Sequence, residues 1–421
     1  MKYKILTLGC KVNSYESNVI DDLFQKRGYV KIEESADIVV INTCTVTNTA
    51  NNKSLKMVRH AVNTNKRAII VVIGCATQVY KEDFINIEGV NIILGNVGKS
   101  KICSYIDDYR KNKKQIVDIY DNKNIPFEEM KLNNFDKTRA FVKIEDGCNN
   151  FCSYCIIPYT RGNVRSRRPE DIFEEIKELI KNGHSEIVLT GIHTGHYGSD
   201  LTSFNFAALL KEIVKIKGLK RLRISSIEIT ELTDEVLEVL RNEKILVSHL
   251  HIPLQAGTDK ILKSMNRKYD TLYFEEKLKK IRSIRPDISI TTDVIVGFPG
   301  ETDEDFENGL DFIRQMAFSK IHVFPYSRRT GTLSDTFPNQ VSSEVKKQRV
   351  HMLINLSRKL EEEYMSKFLG KEVTFIPEVM SNGFIIGHTG NYLLVKAKGN
   401  ELKKEATVTI TKIDYPYVYG E

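Results

Sequence analysis

The sequence predicts an α/β chain in three parts: an N-terminal parallel-sheet domain, a central complete or partial β/α barrel, and a small C-terminal β-barrel. Three observations carry this expectation. Continuous apolar strands alternate with helices over about the first hundred residues, and the same alternation resumes at larger scale from Ala140 to about Lys367. The final segment, from Gly370 onward, switches to short strands of alternating polarity with Gly and Asn turns. A chain of 421 residues also exceeds one ordinary core, so about two to three domains are expected.

In the first part, residues 1–108, "KILTL", "DIVVIN" and "AIIVVIG" read as buried strands. Helical stretches from Ser14 to Arg27 and from about Asn51 to Ala61 lie between them. Residues 109–137, with "RKNKKQ" and "DNKNIPFEEMKLNNFDK", are polar and lysine-rich and predict a linker. The second part, 138–369, offers "AFVKIE", "EIVLTG", "RLRISS", "HLHIPL", "ISITTDVIVG" and "KIHVFPYS" as strands, with amphipathic helices such as "PEDIFEEIKELIKNG" between them. These make about six β/α units, whose functional groups should gather at the C-terminal strand ends. A long charged helix from about Ser343 to Leu369 stops at Gly370, and residues 370–421 form the third part.

Composition narrows the function classes. Hydrophobic residues are 41% and charged residues 28%, a soluble balance. No stretch reaches the ~18 apolar residues of a membrane helix, and the apolar run in "MKYKILTLGC" is too short for a signal peptide, so a cytoplasmic protein is expected. Seven cysteines, an odd number in a long chain, favour metal or redox chemistry over a disulfide framework. The net charge of +7 permits a nucleic-acid partner without requiring one.

The stretch "GCNNFCSYC" places Cys148, Cys152 and Cys155 just after the first barrel strand. A structural zinc site wants four closed ligands, and no fourth Cys or neighbouring His completes this set. A 4Fe-4S cube held by three thiolates keeps one iron free, and that iron can be chelated by the amino and carboxylate groups of S-adenosylmethionine. Three buried thiols or an incomplete zinc knuckle is the plainer alternative. Cys10, Cys44 and Cys75 end "LTLGC", "VVINTC" and "VVIGC", one thiol at the end of each of three strands. Ligands of open parallel sheets bind outside the carboxyl ends of the strands, so these thiols should converge as a second trio, despite separations of about thirty residues. Cys103 lies in a helical pattern that predicts a small buried residue.

The run "GCNNFCSYCIIPYTRG" resembles the radical S-adenosylmethionine superfamily in its methylthiotransferase form. "LGCKVNSYES" and "INTCTVTNTA" are similar to that family's N-terminal signatures, and "IIGHTGNYLLV" resembles a TRAM domain. The resemblance spans nearly the whole chain and implies two 4Fe-4S clusters and S-adenosylmethionine. It places Tyr154 near the adenine, and Thr190 and Gly191 at the turn that meets the methionine amino group. Ser225, Ser226, Gln255, Asp293 and Gly297 are further candidates at the rim. Glu145 stands where much of the family carries Gln. Gly297, Pro299 and Gly300 also suit a strand-to-helix turn, with Thr302 and Asp303 capping the next helix.

Lys11-Val12-Asn13 after Cys10, and "RLRISSIE", resemble the branch acting on tRNA N6-threonylcarbamoyladenosine, although Ile229 and Thr230 stand where a proline is familiar. The resemblance then implies methylthiolation at C2 of that adenine, next to the anticodon. One S-adenosylmethionine methylates a sulfur held by the Cys10/Cys44/Cys75 cluster, and a second, at Cys148/Cys152/Cys155, yields the 5′-deoxyadenosyl radical. Implied partners are tRNA, an electron donor such as flavodoxin or ferredoxin, and a sulfur source. Arg161, Arg165, Arg167 and Arg168 in "RGNVRSRRPE" are expected to meet RNA phosphates, with Tyr392 and His388 as contacts from the tail. His193 and His196 are expected at the surface or facing RNA. Alternatives are isopentenyladenosine of tRNA or a ribosomal-protein aspartate on the same machinery, or a non-catalytic iron-sulfur RNA-binding regulator.

Overall fold

The computed structural model describes residues 1–121 and 125–421. Strands β1 (Lys2–Thr7), β2 (Val30–Lys31), β3 (Ile38–Thr43), β4 (Ile69–Gly74), β5 (Val90–Leu94) and β6 (Ile116–Asp118) form one parallel sheet in the order β2-β1-β3-β4-β5-β6. Every residue of β3 and β4 is buried, which is why they read as unbroken Ile/Val runs. Helix α1 (Lys11–Lys26) follows β1 and helix α2 (Asn48–Thr64) follows β3. Cys103 is buried in this domain's core, on the helix Ile102–Asn112.

The stretch expected as a linker does more. It supplies β6, paired in parallel with β5 through Ile92 and Ile116, and it buries Met130, Leu132 and Phe135 in the barrel core. Its few apolar side chains lack any regular period, so no window of sequence marks them as core. Residues 122–124 of that stretch lie outside the described residues.

Next come β7 (Arg139–Lys143), β8 (Glu145–Asp146), β9 (Arg165–Ser166), β10 (Glu186–Thr190), β11 (Arg221–Ile224), β12 (His249–His251), β13 (Ser289–Val296) and β14 (Lys320–Pro325). Two three-stranded parallel sheets, β7-β10-β11 and β12-β13-β14, meet at a bridge between Leu222 and Leu246. The result is a six-stranded partial barrel, and among the described residues β7 and β14 are not paired. The N-terminal domain fills that seam. On one side Glu16 of α1 meets Lys143 of β7. On the other, Arg329, just past β14, bonds to Thr45 and Asn48.

Beyond the long helix Ser343–Ser366 lie β15 (Glu372–Ser381), β16 (Phe384–Thr389), β17 (Leu394–Lys398), β18 (Ala406–Asp414) and β19 (Tyr417–Gly420), closed in the order β15-β16-β17-β19-β18. Closure leaves no free sheet edge. Phe375, Val395, Ile410 and Val418 fill its interior. Arginines at the start of the large barrel's strands hold this module. Arg221 donates to the carbonyls of His388 and Thr374 (both 3.1 Å), and Arg223 to those of Thr389 (2.7 Å) and Gly390 (2.9 Å).

Candidate active site at the barrel seam

The loop from Cys148 to Cys155 is built before any ligand is considered. Gly147, at φ +90°, lets it leave β8, and a Cβ there would stand 1.9 Å from the Asn163 carbonyl. The Cys148 N–H donates to the Gly162 carbonyl at 3.0 Å, and the Cys155 N–H to that of Cys152 at 2.9 Å. Arg267 Nη1 lies 3.2 Å from Cys152 Sγ while its other groups bond Glu228 and Tyr269. Burial pushes the Cys155 thiol up to about 12, aided by Cys152, and pushes Cys148 higher still. Binding a metal would displace these protons to solvent, because the ligand is the thiolate.

The second trio stands at the ends of three neighbouring strands. Cys10 is the N-cap of α1, Cys44 follows β3 and Cys75 follows β4. Gly9, at φ +108°, sits so close that a Cβ there would stand 3.0 Å from Cys44 Sγ. Asn13 ties the strand ends through bonds to the carbonyls of Leu8 (2.8 Å) and Thr43 (2.9 Å), with its Oδ1 3.8 Å from Cys10 Sγ. Among the described residues, the groups compact enough for a single metal ion contain no cysteine. Both trios are wider than a mononuclear site, and all-thiol donor sets suit a polynuclear iron-sulfur cube.

A buried ionic network runs from Cys75 of the second trio to Asp146, two residues before Cys148. Arg161, just past the radical-type loop, donates Nε to Cys75 Sγ at 3.4 Å and Nη2 to Asn13 Oδ1 at 3.0 Å. Its Nη1 reaches Glu16 Oε1 (2.9 Å) and Asp146 Oδ2 (3.1 Å). Lys143 bridges the same two carboxylates at 3.1 and 2.6 Å, and Lys99 pairs with Glu16. All five side chains are essentially buried. Burial alone would raise the Glu16 carboxyl, but Arg161, Lys99 and Lys143 outweigh it and hold it well below its ordinary value. With Arg165 3.7 Å from Asp146, four cations face the two carboxylates, and Arg161 carries the positive surplus to Cys75.

Glu145 occupies the corner between the loop and β10. It is fully buried, accepts the His193 N–H, and has one carboxylate oxygen with no hydrogen-bond partner among the described residues. Burial raises its carboxyl well above the ordinary value, so it stays neutral and has the shape of the glutamine expected there. Gly191 lies against it: a Cβ would stand 2.0 Å from Glu145 Oε1. The proline missing after "SSIE" is not needed for the turn, because Glu228 and Glu231 cap the short 3-10 turn Ile229–Glu231 reciprocally.

Two cavities open into the barrel. One of about 180 Å³ is lined by Tyr154, Gln255 and Asp293 together with Val46 and Thr47 of the N-terminal domain. Three of the expected cofactor contacts thus share one space. Ser225 instead lines the second cavity, of about 360 Å³, between the strands and the C-terminal module, with His249, His251, His322 and Tyr392. Thr190 is buried at the end of β10, its carbonyl accepting from the Ile144 N–H. His251, 3.3 Å from Asp293, forms the wall between the cavities.

Several expected RNA contacts turn inward. Arg161 and Arg167 are fully buried, and Arg167 pairs with Glu175. Arg165 donates to the carbonyl of Arg161 at 2.7 Å and is 8% exposed. No phosphate can approach Arg161 or Arg167, so their part in the site is ionic and internal. Arg168 alone is on the surface, paired with Asp171 at 2.7 Å. Tyr392 points into the larger cavity, accepting from Arg139 at 2.9 Å beneath the Arg223 guanidinium. His388 bonds Glu378 at 2.8 Å. His193 is buried beside the loop, its Nδ1 3.6 Å from Cys148 Sγ, and its ring stacks on His196 while bonding Glu231. Burial lowers His193 to about 4 and raises Glu231 to about 7, which favours a neutral hydrogen-bonded pair.

Glu16, Lys99, Lys143, Glu231 and Arg267 escaped the reading of the sequence. Only Glu16 carried a signal, as a charged residue on the inward face of α1.

Comparison with known proteins first defines the class. The model of the Radical SAM superfamily matches residues 142–313, and that of the uncharacterized protein family UPF0004 matches residues 2–95. The structure of the radical S-adenosylmethionine methyltransferase TsrM from Kitasatospora setae shares the fold, with a TM-score of 0.59 at 13% identity, covering 79% of this chain and 76% of that one. This is a radical S-adenosylmethionine enzyme, a class that works with that cofactor and a 4Fe-4S cluster. The relatives then narrow it. The threonylcarbamoyladenosine tRNA methylthiotransferase MtaB of Bacillus subtilis (strain 168) is 45% identical over 99% of this chain and 95% of its own length. The tRNA-2-methylthio-N(6)-dimethylallyladenosine synthase of Thermoanaerobacter sp. (strain X514) is 36% identical over 100% of this chain and 92% of that protein. The chain belongs to the methylthiotransferase family.

Proposed function

We propose that this enzyme methylthiolates C2 of N6-threonylcarbamoyladenosine next to the anticodon of tRNA. Cys148, Cys152 and Cys155 hold one 4Fe-4S cluster, and Cys10, Cys44 and Cys75 hold a second. When bound, the clusters and S-adenosylmethionine supply the one-electron cleavage, the sulfur and the methyl group. The observation that carries this reading is Arg161, which follows the first trio in sequence and hydrogen-bonds a member of the second. A single side chain in contact with Cys75 and with Asp146, two residues before Cys148, supports reading the two thiol sets as parts of one site.

The chain's own residues do the rest. Tyr154, Gln255 and Asp293 line the space for the cofactor, and Gly191 leaves room that a side chain would take from Glu145. Arg161, Lys99 and Lys143 present positive charge to the anionic thiolate set, and Arg267 does the same for Cys152. The larger cavity falls within the ~300–1,000 Å³ of small-molecule sites and opens beside the cofactor space, where a flipped-out base fits. A soluble electron donor of the flavodoxin or ferredoxin kind and a sulfur source complete the cycle, and Arg168 remains as a candidate for RNA phosphate.

Mass spectrometry of tRNA nucleosides from cells lacking the gene tests this. The expected result is loss of 2-methylthio-N6-threonylcarbamoyladenosine with accumulation of its unthiolated parent. Loss of a methylthio-dimethylallyl nucleoside instead would assign the other tRNA substrate, and an unchanged nucleoside profile would remove tRNA from the reading.

A further inference from the structure

Among the described residues, the larger cavity is lined by one lysine without a partner. Lys320 pairs with Glu361 at 3.0 Å, and Arg139 and Arg223, which flank the cavity behind Tyr392, are committed to Glu378, Glu186 and backbone carbonyls. Lys11 lines the same space, yet among the described residues its ammonium group has neither an ion pair nor a hydrogen bond. A charged amine facing a cavity otherwise walled by histidines, hydroxyls, two tyrosines, a few apolar side chains and a Glu361 already neutralised by Lys320 is a site for an oxyanion.

Its position in the helix argues the same way. Lys11 is the first residue of α1, whose first turn has no acid. The helix dipole makes that end positive, so a lysine there is electrostatically the wrong residue. It also directly follows Cys10, so whatever it holds lies beside the second thiol set.

We propose that Lys11 is a specificity-determining residue that binds the carboxylate of the amino-acid substituent on the substrate adenine. This rests on the substrate reading of the preceding subsection and adds the basis of selection. A dimethylallyl group offers nothing to an ammonium, and would leave it buried beneath an apolar ligand, whereas a threonylcarbamoyl group carries the matching anion. An RNA phosphate is the other oxyanion that could reach Lys11, and the test separates the two sources.

The reconstituted holoenzyme is given anticodon stem-loops bearing N6-threonylcarbamoyladenine as the free acid or as its neutral N-methylamide, and kcat and KM for methylthio product are measured by mass spectrometry. The native enzyme should prefer the acid by about ten- to hundredfold, the value of one charge-assisted contact. In Lys11→Met the ratio should collapse towards one through KM for the acid, and Lys11→Arg should keep most of the preference. A preference that survives in Lys11→Met overturns the proposal. An equal loss on both RNAs also overturns it, whether the cause is a phosphate contact or a structural role. If the native enzyme makes product from neither RNA, the substrate reading itself fails and takes this one with it.

Discussion

Replacing Glu16 by glutamine tests the ionic network that runs from Cys75 to Asp146. Glu16 is fully buried and contacts Lys99, Lys143 at 3.1 Å and Arg161 at 2.9 Å. At about 3 Å and an effective dielectric constant of about 20, each contact is worth about 5 kcal/mol gross. Desolvation of four ions and repulsion among three cations offset most of that sum. The loss on removing one partner is smaller and better known, about 3–5 kcal/mol, because uncompensated charge stays buried. Glu16→Gln leaves Lys99, Lys143, Arg161 and Arg165 with Asp146 as their one remaining carboxylate in this network. The assay is the urea midpoint of the anaerobic apoprotein, measured for Glu16→Gln, Lys99→Met and the double variant. Removing a surplus cation should recover part of the loss, with a coupling of at least about 1 kcal/mol. A loss below about 1 kcal/mol, or strictly additive single variants, would refute the reasoning. The pH dependence has a definite sign. The folded carboxyl lies below its ordinary 4.5, so its contribution is complete above that value and is lost as pH falls towards the folded pKa. The gap between native and Glu16→Gln protein should therefore close in acid.

Cys75→Ser should lower the iron of reconstituted protein from about eight to about four per chain; native protein with only about four irons would contradict the second cluster. Glu145→Gln should fold well and hold S-adenosylmethionine, since the native carboxyl is already neutral. Because the folded pKa is raised, native stability falls as pH rises above 4.5, and the variant's advantage in thermal melts should grow between pH 5 and about 8. An equal melting difference at every pH in that range would show that Glu145 ionises normally. Arg221→Ala removes the bonds to His388, Thr374 and Glu405 and should speed hydrogen exchange in β16 at its His388 end while leaving β3 and β4 protected. Unchanged exchange there would mean that the docking does not depend on this arginine.

Burial patterns were legible where they were periodic. The Ile/Val runs of β3 and β4 and the long helix from Ser343 were evident from the sequence, as was the switch to alternating strands after Gly370. The stretch 109–137 misled because β6 has only three residues and Met130, Leu132 and Phe135 are buried without a repeat. The arginines after Cys155 misled for a different reason: a charged run looks the same whether it meets phosphate or a buried carboxylate. Arg161 and Arg167 find Glu16, Asp146 and Glu175, and only Arg168 faces solvent.

What the sequence showed by itself was the placement of six cysteines in two trios, one on a tight loop and the other at the ends of three strands, β1, β3 and β4. Loop spacing and strand polarity are local properties, so they survive being written in one dimension. Only the tertiary structure decided what surrounds those thiols. The contact from Arg161 to Cys75 crosses 86 residues, that from Arg267 to Cys152 crosses 115, and that from Arg161 to Glu16 crosses 145. A charge inside a protein is satisfied by whichever partner the packing of distant elements brings within about 3 Å, and no pattern along the chain encodes that meeting.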